Sequence, residues 1–245
     1  MNLDLVGKRA LVTGGSRGIG RGVALALARQ GVLVAACYQQ ESEAVSSLAE
    51  ELKRYNPKNT LLQVDVSDRD SVAQMAENVQ HLFGGLDILV NNAGVISHIP
   101  LAKMELEQWE QVLATNLTSL YLVTHATLQL LTDGSSIVNI GSAVASVGIP
   151  MRTHYTASKA GVVGFSRSLC KELGARSIRV NVVAPGVIDT HQAAGLTPEQ
   201  RTRYASMAAL GRLGQADDIA DVVLFLASDL SRFVSGTTIN VDGGI

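Results

Sequence analysis

The sequence predicts an α/β fold in one domain: a doubly wound parallel sheet of seven strands with helices on both faces. Three observations carry that expectation. Short β-branched runs alternate with longer helical patterns from end to end of the 245 residues. Apolar residues make up 47% of the chain and charged residues only 17%, as a parallel sheet covered on both faces demands. The first apolar run passes straight into Thr13-Gly14-Gly15-Ser16-Arg17-Gly18-Ile19-Gly20, a glycine-rich strand-to-helix turn.

In chain order, buried strands are expected at 10–13, 33–37, 61–64, 88–90, 137–140, 180–183 and 238–241. Amphipathic or wholly apolar helical spacing marks 19–30, 43–55, 71–83, 106–131, 155–173 and 217–227. Right-handed crossovers then place the strand ends on one edge. The alternation breaks at 189–214, where Gly195 and Pro198 stand among mixed polar residues; a stretch of this length reads as a substrate loop or lid. Asp217-Asp218, ahead of Ile219, reads as the N-cap of the last helix. With no repeat or linker to divide it, the chain reads as a single domain over 1–245.

The net charge of −2 offers no basic field for nucleic acid or anionic lipid, and no run of 18 apolar residues or charged-then-apolar leader is present, so a cytoplasmic protein without membrane or nucleic-acid partners is expected. Cys37 and Cys170 are far apart and read as buried, reduced thiols. The five histidines lack zinc-ligand spacing, and no metal is expected. His98 and His154 read as partly exposed loop residues without a catalytic role.

Glycines in the 13–20 turn let the backbone approach a pyrophosphate, whose charge is met by the amides and positive dipole of the following helix. Tyr155 and Lys159 are four residues apart and share a helix face. An ammonium beside a phenol favours the phenolate, so the pair predicts a lowered Tyr155 pKa and a phenol that exchanges a proton with a carbonyl oxygen. Ser142 follows the fifth strand and belongs at the carboxyl edge of the sheet, where its hydroxyl can meet the same oxygen. Asn116 interrupts an apolar helix, where a satisfied core amide is the plain reading, beside the kink that the resemblance described next implies.

With Asn91-Asn92-Ala93-Gly94 lying between the glycine turn and Ser142, the chain resembles the short-chain dehydrogenase/reductase family over essentially its whole length. The resemblance implies a Rossmann-like nicotinamide-dependent oxidoreductase acting on CH–OH/C=O groups, with Asn116, Ser142, Tyr155 and Lys159 as catalytic residues and a water beside Lys159 ordered by the Asn116 kink. It implies a cofactor site of Gly14, Ser16, Arg17, Gly18, Ile19, Gly20, Tyr38, Asp65, Val66, Asn92, Ala93, Gly94, Tyr155, Lys159, Pro185, Gly186, Ile188 and Thr190. It also implies a homotetramer or homodimer built through the 106–131 and 155–173 helices.

The second strand ends in Tyr38-Gln39-Gln40 with no carboxylate before Glu41, and Arg17 adds a guanidinium, so NADPH is favoured over NADH. Ile96, His98, Ala143, Val144, Met151, Val187 and His191 are expected around the substrate, a mostly apolar set that suits a hydrophobic ketone. Within the family the chain looks most like 3-oxoacyl-carrier-protein reductases and polyketide ketoreductases. Residues 129–136 lack the basic side chains expected for docking an acidic carrier, leaving Arg176 alone. The expected reaction is therefore NADPH-dependent reduction of a free polycyclic or aromatic polyketide-type ketone. A carrier-bound 3-oxoacyl thioester, with an acyl carrier protein as partner, is the alternative. A silent NADP sensor or scaffold is the alternative from another class.

Overall fold

Seven parallel strands run through the computed structural model in the order β3-β2-β1-β4-β5-β6-β7, and residues 3–190 and 195–245 are described. They are β1 (Arg9–Val12), β2 (Leu33–Tyr38), β3 (Thr60–Gln63), β4 (Leu86–Asn91), β5 (Leu131–Ile140), β6 (Arg179–Pro185) and β7 (Thr238–Val241). Side chains of each strand alternate between two cores. Ala10 and Val12 of β1, Ile88 and Val90 of β4 and Val138 of β5 enter one, where α1 (Gly18–Arg29) and α9 (Ala216–Ala227) add Val23, Leu27, Ile219 and Val223. Leu11, Leu89 and Ile137 enter the other, with Val72, Met75 and Val79 of α3 (Arg69–Phe83) and Val123 of α5 (Ser119–Thr127). The apolar runs are continuous because both sheet faces are covered.

The chain moves outward from β1 through β2 to β3 by way of α2 (Glu43–Tyr55), then returns to place β4 on the other side of β1. That reversal opens a crevice beyond the carboxyl ends of β1 and β4.

Several expectations are corrected. The 106–131 helix is α4 (Leu106–Leu113), a wider π turn over Ala114–Thr118, and α5, and Leu131 already belongs to β5. Residues 132–134 bulge outward from β5, shifting its pairing from Leu86↔Leu131 to Ile88↔Ser136. Gly134, at φ +85, turns the excursion, and Arg176 holds it, donating to Asp133 Oδ1 at 3.0 Å and to the carbonyls of Leu128 and Leu131. Arg176 is thus engaged within its own chain, not presented for docking.

The 189–214 stretch contains a helix, α8 (Pro198–Met207), started by a capping box between Thr197 and Gln200 with Pro198 in its first turn. Its base is closed where Asp189 N donates to the Gly214 carbonyl at 2.7 Å and Gly214 N to that of Val187 at 3.0 Å. The cap of α9 is Gln215, with Asp217 and Asp218 inside the first turn. Cys37 is buried and free; Cys170 is free but only half-buried. No helix among the described residues is long and apolar enough to cross a membrane, and no group of metal-ligating side chains gathers among them.

Candidate active site

The crevice holds a cleft of about 410 Å³. Its floor is the glycine turn between β1 and α1. Gly14 and Gly18 adopt left-handed φ of +62 and +56, which a β-carbon would strain. At Gly20 an added β-carbon would stand 2.2 Å from the Gly14 carbonyl oxygen and 2.5 Å from Asn92 Nδ2, so only glycine fits. The turn is tied to β4: Thr13 Oγ1 accepts from the amides of Asn92 at 3.0 Å and Ala93 at 3.1 Å, while Asn92 Nδ2 donates to the carbonyls of Thr13 and Gly14, both at 3.0 Å. Arg17 caps α1 without a side-chain bond and no acidic residue occupies the first turn, leaving its amides for an anion. A glycine cradle facing free helix amides fits a dinucleotide pyrophosphate.

At the far end, Asp65 Oδ1 accepts from Ser67 N and Oγ at 2.9 and 2.6 Å, and Gln39 Nε2 donates to Asp65 Oδ2 at 3.0 Å. The Ser67 bonds in particular hold the carboxyl below its ordinary range. Arg17 is exposed and makes no ion pair among the described residues. Tyr38 donates its hydroxyl to Glu41, so a carboxylate does stand at this end, on the first residues of the loop into α2.

The opposite end gathers the groups able to exchange a proton. Tyr155 and Lys159 lie on α7 (Thr153–Glu172), and Ser142 precedes the short helix α6 (Val144–Val147). All three line the cleft. Lys159 Nζ donates to the Ile140 carbonyl at 2.8 Å and stands 5.9 Å from the Tyr155 ring centroid. Burial draws this ammonium down from 10.5 to about 8. The Tyr155 phenol is pushed up by burial, against the downward pull of a hydrogen bond with Ser142 and the charge of Arg152. The expectation of a lysine-lowered phenol is thus corrected for the cofactor-free protein: the ammonium is spent on the Ile140 carbonyl, and desolvation wins.

Asn116 sits within the π turn, 3% exposed and just behind the cleft wall. Its Oδ1 accepts from Val95 N at 2.8 Å, and its Nδ2 donates to the Val95 carbonyl at 2.9 Å and Ser158 Oγ at 3.1 Å. Both readings of this residue hold in part, since the amide is satisfied and the helix is deformed around it. Behind the site, Asn91 Nδ2 donates to Asn139 Oδ1 at 2.9 Å, and Asn139 Nδ2 to Ser166 Oγ at 2.9 Å, a buried polar chain joining β4, β5 and α7.

Every residue expected at the cofactor lines this one cleft, together with Ser142. Gln39, Gln40, Glu41, Ser42, Val95 and Thr115 line it as well and were not expected; four of them follow directly on the end of β2, the signal that would have found them. The residues expected around the substrate lie beyond its lining. His191 falls outside the described residues. His98 is exposed, as expected, but His154 is fully buried on α7 rather than in a loop, with Nε2 2.6 Å from Ser97 Oγ and no partner for Nδ1 among the described residues. Burial keeps it below its ordinary pKa and therefore neutral.

A dinucleotide crevice at the β1–β4 reversal, with a serine, a tyrosine and a buried lysine at one end, defines a nicotinamide-type oxidoreductase site. The chain belongs to the short-chain dehydrogenase/reductase family: residues 14–245 match the family model described as "Enoyl-(Acyl carrier protein) reductase". Among its curated relatives is the 3-oxoacyl-(acyl-carrier-protein) reductase of Haemophilus influenzae, 45% identical over 243 residues and covering 98% of each chain. The enzyme of the same name from Pseudomonas aeruginosa is 44% identical over 245 residues, 99% of each chain. Among solved structures, a blue fluorescent protein from a metagenomic library, in complex with NADPH, superposes with a TM-score of 0.92 at 36% identity, covering 100% of this chain and 99% of its own. A short-chain dehydrogenase from Burkholderia cenocepacia in complex with NADP gives 0.92 at 36% identity, covering 98% of each chain.

Proposed function

We propose that this protein is an NADPH-dependent reductase of 3-oxoacyl thioesters carried on acyl carrier protein. The observation that carries the chemistry is the gathering of Ser142, Tyr155 and Lys159 at one end of a cleft whose other end is a pyrophosphate cradle. The choice of substrate rests on the two 3-oxoacyl-carrier-protein reductases that match the chain over nearly their whole length. These relatives favour the carrier-bound alternative over the free polyketide-type ketone that the missing basic residues suggested. NADPH is supported by the unpaired Arg17 at the adenosine end and by the neighbours in complex with NADPH and NADP.

When bound, NADPH supplies the hydride. The chain's own residues do the rest. The glycine turn and α1 amides would hold the pyrophosphate, Asp65 and Val66 would border the adenine, and Arg17 and Tyr38 would meet the adenosine ribose phosphate. Ser142 donates a hydrogen bond to the substrate carbonyl oxygen, polarising it. Tyr155 gives that oxygen its proton, and burial keeps the phenol protonated and ready as the acid. Lys159 would hold the nicotinamide ribose hydroxyls and pass a proton toward Tyr155, to be replenished through water beside the π turn at Asn116. The 189–214 segment, closed at its base, covers the substrate.

The test is NADPH oxidation with a 3-oxoacyl carrier-protein thioester, the corresponding 2-enoyl thioester and free aromatic polyketide-like ketones, with NADH in parallel. The reading requires the highest kcat/KM on the 3-oxoacyl thioester with NADPH. Turnover confined to free bulky ketones would return the protein to tailoring chemistry. Cofactor binding without turnover would leave a sensor.

A further inference from the structure

Ile188 and Thr190 line the cleft, and Asp189 between them does not. The alternation is that of an extended chain. Ile188 bridges to Gly214 as a parallel strand would, and Asp189 N donates to the Gly214 carbonyl at 2.7 Å. Both neighbours of Asp189 are close-packed. The Ile188 side chain lies against Gly214, where an added β-carbon would stand 2.5 Å from its Cδ1, and a β-carbon on Gly18 would stand 3.4 Å from Thr190 Cβ. Thr190 therefore rests on the turn that fits the pyrophosphate.

The Asp189 carboxylate turns instead to α8. Its Oδ1 accepts from Arg201 Nη1 at 2.8 Å, the two side chains being 36% and 35% exposed. Two features set this pair apart from an incidental surface contact. α8 buries no side chain, so apolar packing does little to place it. A cation close to a helix N-terminus also opposes the dipole, so helix stability gives no reason for an arginine at 201. Its partner does. Unpaired, the Asp189 carboxylate would stand one residue from Thr190 with its charge unbalanced, close to where the anionic pyrophosphate fits.

We infer that Arg201 is a positioning residue: by holding Asp189 it sets Ile188 and Thr190 against bound NADPH, and it makes the seating of α8 depend on whether the cleft is filled. The two effects are one coupling seen from both ends, since whatever the seated helix adds to NADPH affinity, NADPH must return to the helix. Arg201 does not itself line the cleft, and the inference holds whichever carbonyl compound is reduced there.

Its test measures two quantities on the whole protein: the NADPH dissociation constant by fluorescence titration, and hydrogen exchange over residues 198–207 by mass spectrometry with and without NADPH. The wild type exchanges more slowly over 198–207 when NADPH is bound. Arg201→Met loses that slowing and binds NADPH roughly threefold to tenfold more weakly, the scale of a partly exposed ion pair. Asp189→Asn behaves alike, the double variant binds no more weakly than the weaker single variant, and Arg201→Lys recovers part of both effects. Each exchange comparison is made within one protein, so a variant of altered stability still gives a reading. A contact that served only to hold α8 in place would change exchange by the same factor with and without NADPH. That result overturns the inference, as do wild-type exchange indifferent to NADPH, wild-type affinity in Arg201→Met, or losses that add in the double variant. A wild type that fails to bind NADPH overturns the cofactor assignment and the inference with it, whereas the choice among carbonyl substrates moves neither readout.

Discussion

Lys159→Met should make the cofactor-free protein more stable at neutral pH while removing its activity. Lys159 is 4% exposed, and burial draws its ammonium from 10.5 to about 8. A lysine whose native pKa lies below its unfolded value costs stability. The cost is full below the native value, where the buried group must still be charged, and is relieved as pH rises from 8 to 10.5. At about 1.4 kcal/mol per pH unit it amounts to about 3 kcal/mol. Against it stands the 2.8 Å bond to the Ile140 carbonyl, worth about 1 kcal/mol, which Met cannot make. Met fills nearly the same space. The variant is therefore expected to be more stable by about 2 kcal/mol at pH 7, with the advantage shrinking above pH 8 and reversing near 10.5. Tyr155 and Cys37, both raised by burial, the latter to about 12, lose stability as pH climbs past their ordinary values, so the wild-type curve alone is not diagnostic. The measurement is urea unfolding of both proteins without cofactor, at one protein concentration and at pH 7, 8.5 and 10. A stability difference that stays flat across those pH values, or a variant less stable at pH 7, would refute the reasoning.

Three other outcomes are expected. Tyr155→Phe removes the proposed proton donor and should lower kcat by about 10²- to 10⁴-fold with NADPH affinity retained, and retained turnover in steady-state assays would reassign the acid. Gly20→Ala drives a β-carbon to within 2.2 Å of the Gly14 carbonyl oxygen and 2.5 Å of Asn92 Nδ2. It should spoil the turn and weaken NADPH binding at least tenfold by fluorescence titration. Arg17→Ala should raise KM for NADPH by roughly tenfold and leave KM for NADH in place, since only NADPH offers a 2′-phosphate to the guanidinium. Equal effects on both cofactors would remove Arg17 from that role.

The cleft was legible in the sequence because its parts are local. A dinucleotide turn needs glycines at fixed spacing on one strand-to-helix joint, and a tyrosine–lysine pair needs one helix face. What escaped depends on partners far along the chain or on patterns that imitate one another. Helical spacing runs on through Leu128, Leu130 and Leu131, so the 106–131 helix overran into β5, and only the pairing with Leu86 marks where the strand begins. α8 has no apolar stripe and no buried side chain, so its start signal, Thr197-Pro198-Glu199-Gln200, was the one trace it left. His154 reads as a loop residue until Ser97, 57 positions earlier, closes over it. The pKa of Tyr155 was misjudged because sequence shows the neighbouring charge but not the desolvation that outweighs it.

The four hydrogen bonds between Thr13, Gly14 and the Asn92-Ala93 pair span about 80 positions of sequence. The cradle therefore has no existence as a peptide. A ribosome that has made only the first three strands has produced every glycine of the turn and the Cys37 carbonyl that accepts from Gly15 N, yet the ties to Asn92 and Ala93 wait until β4 docks beside β1. Cofactor can reward the folded chain but cannot template its early assembly, and a fragment ending before Asn91 should ignore dinucleotide altogether. Assembly order and ligand response are thereby linked: the nicotinamide pool of the cell can protect only molecules whose central strands have already found each other.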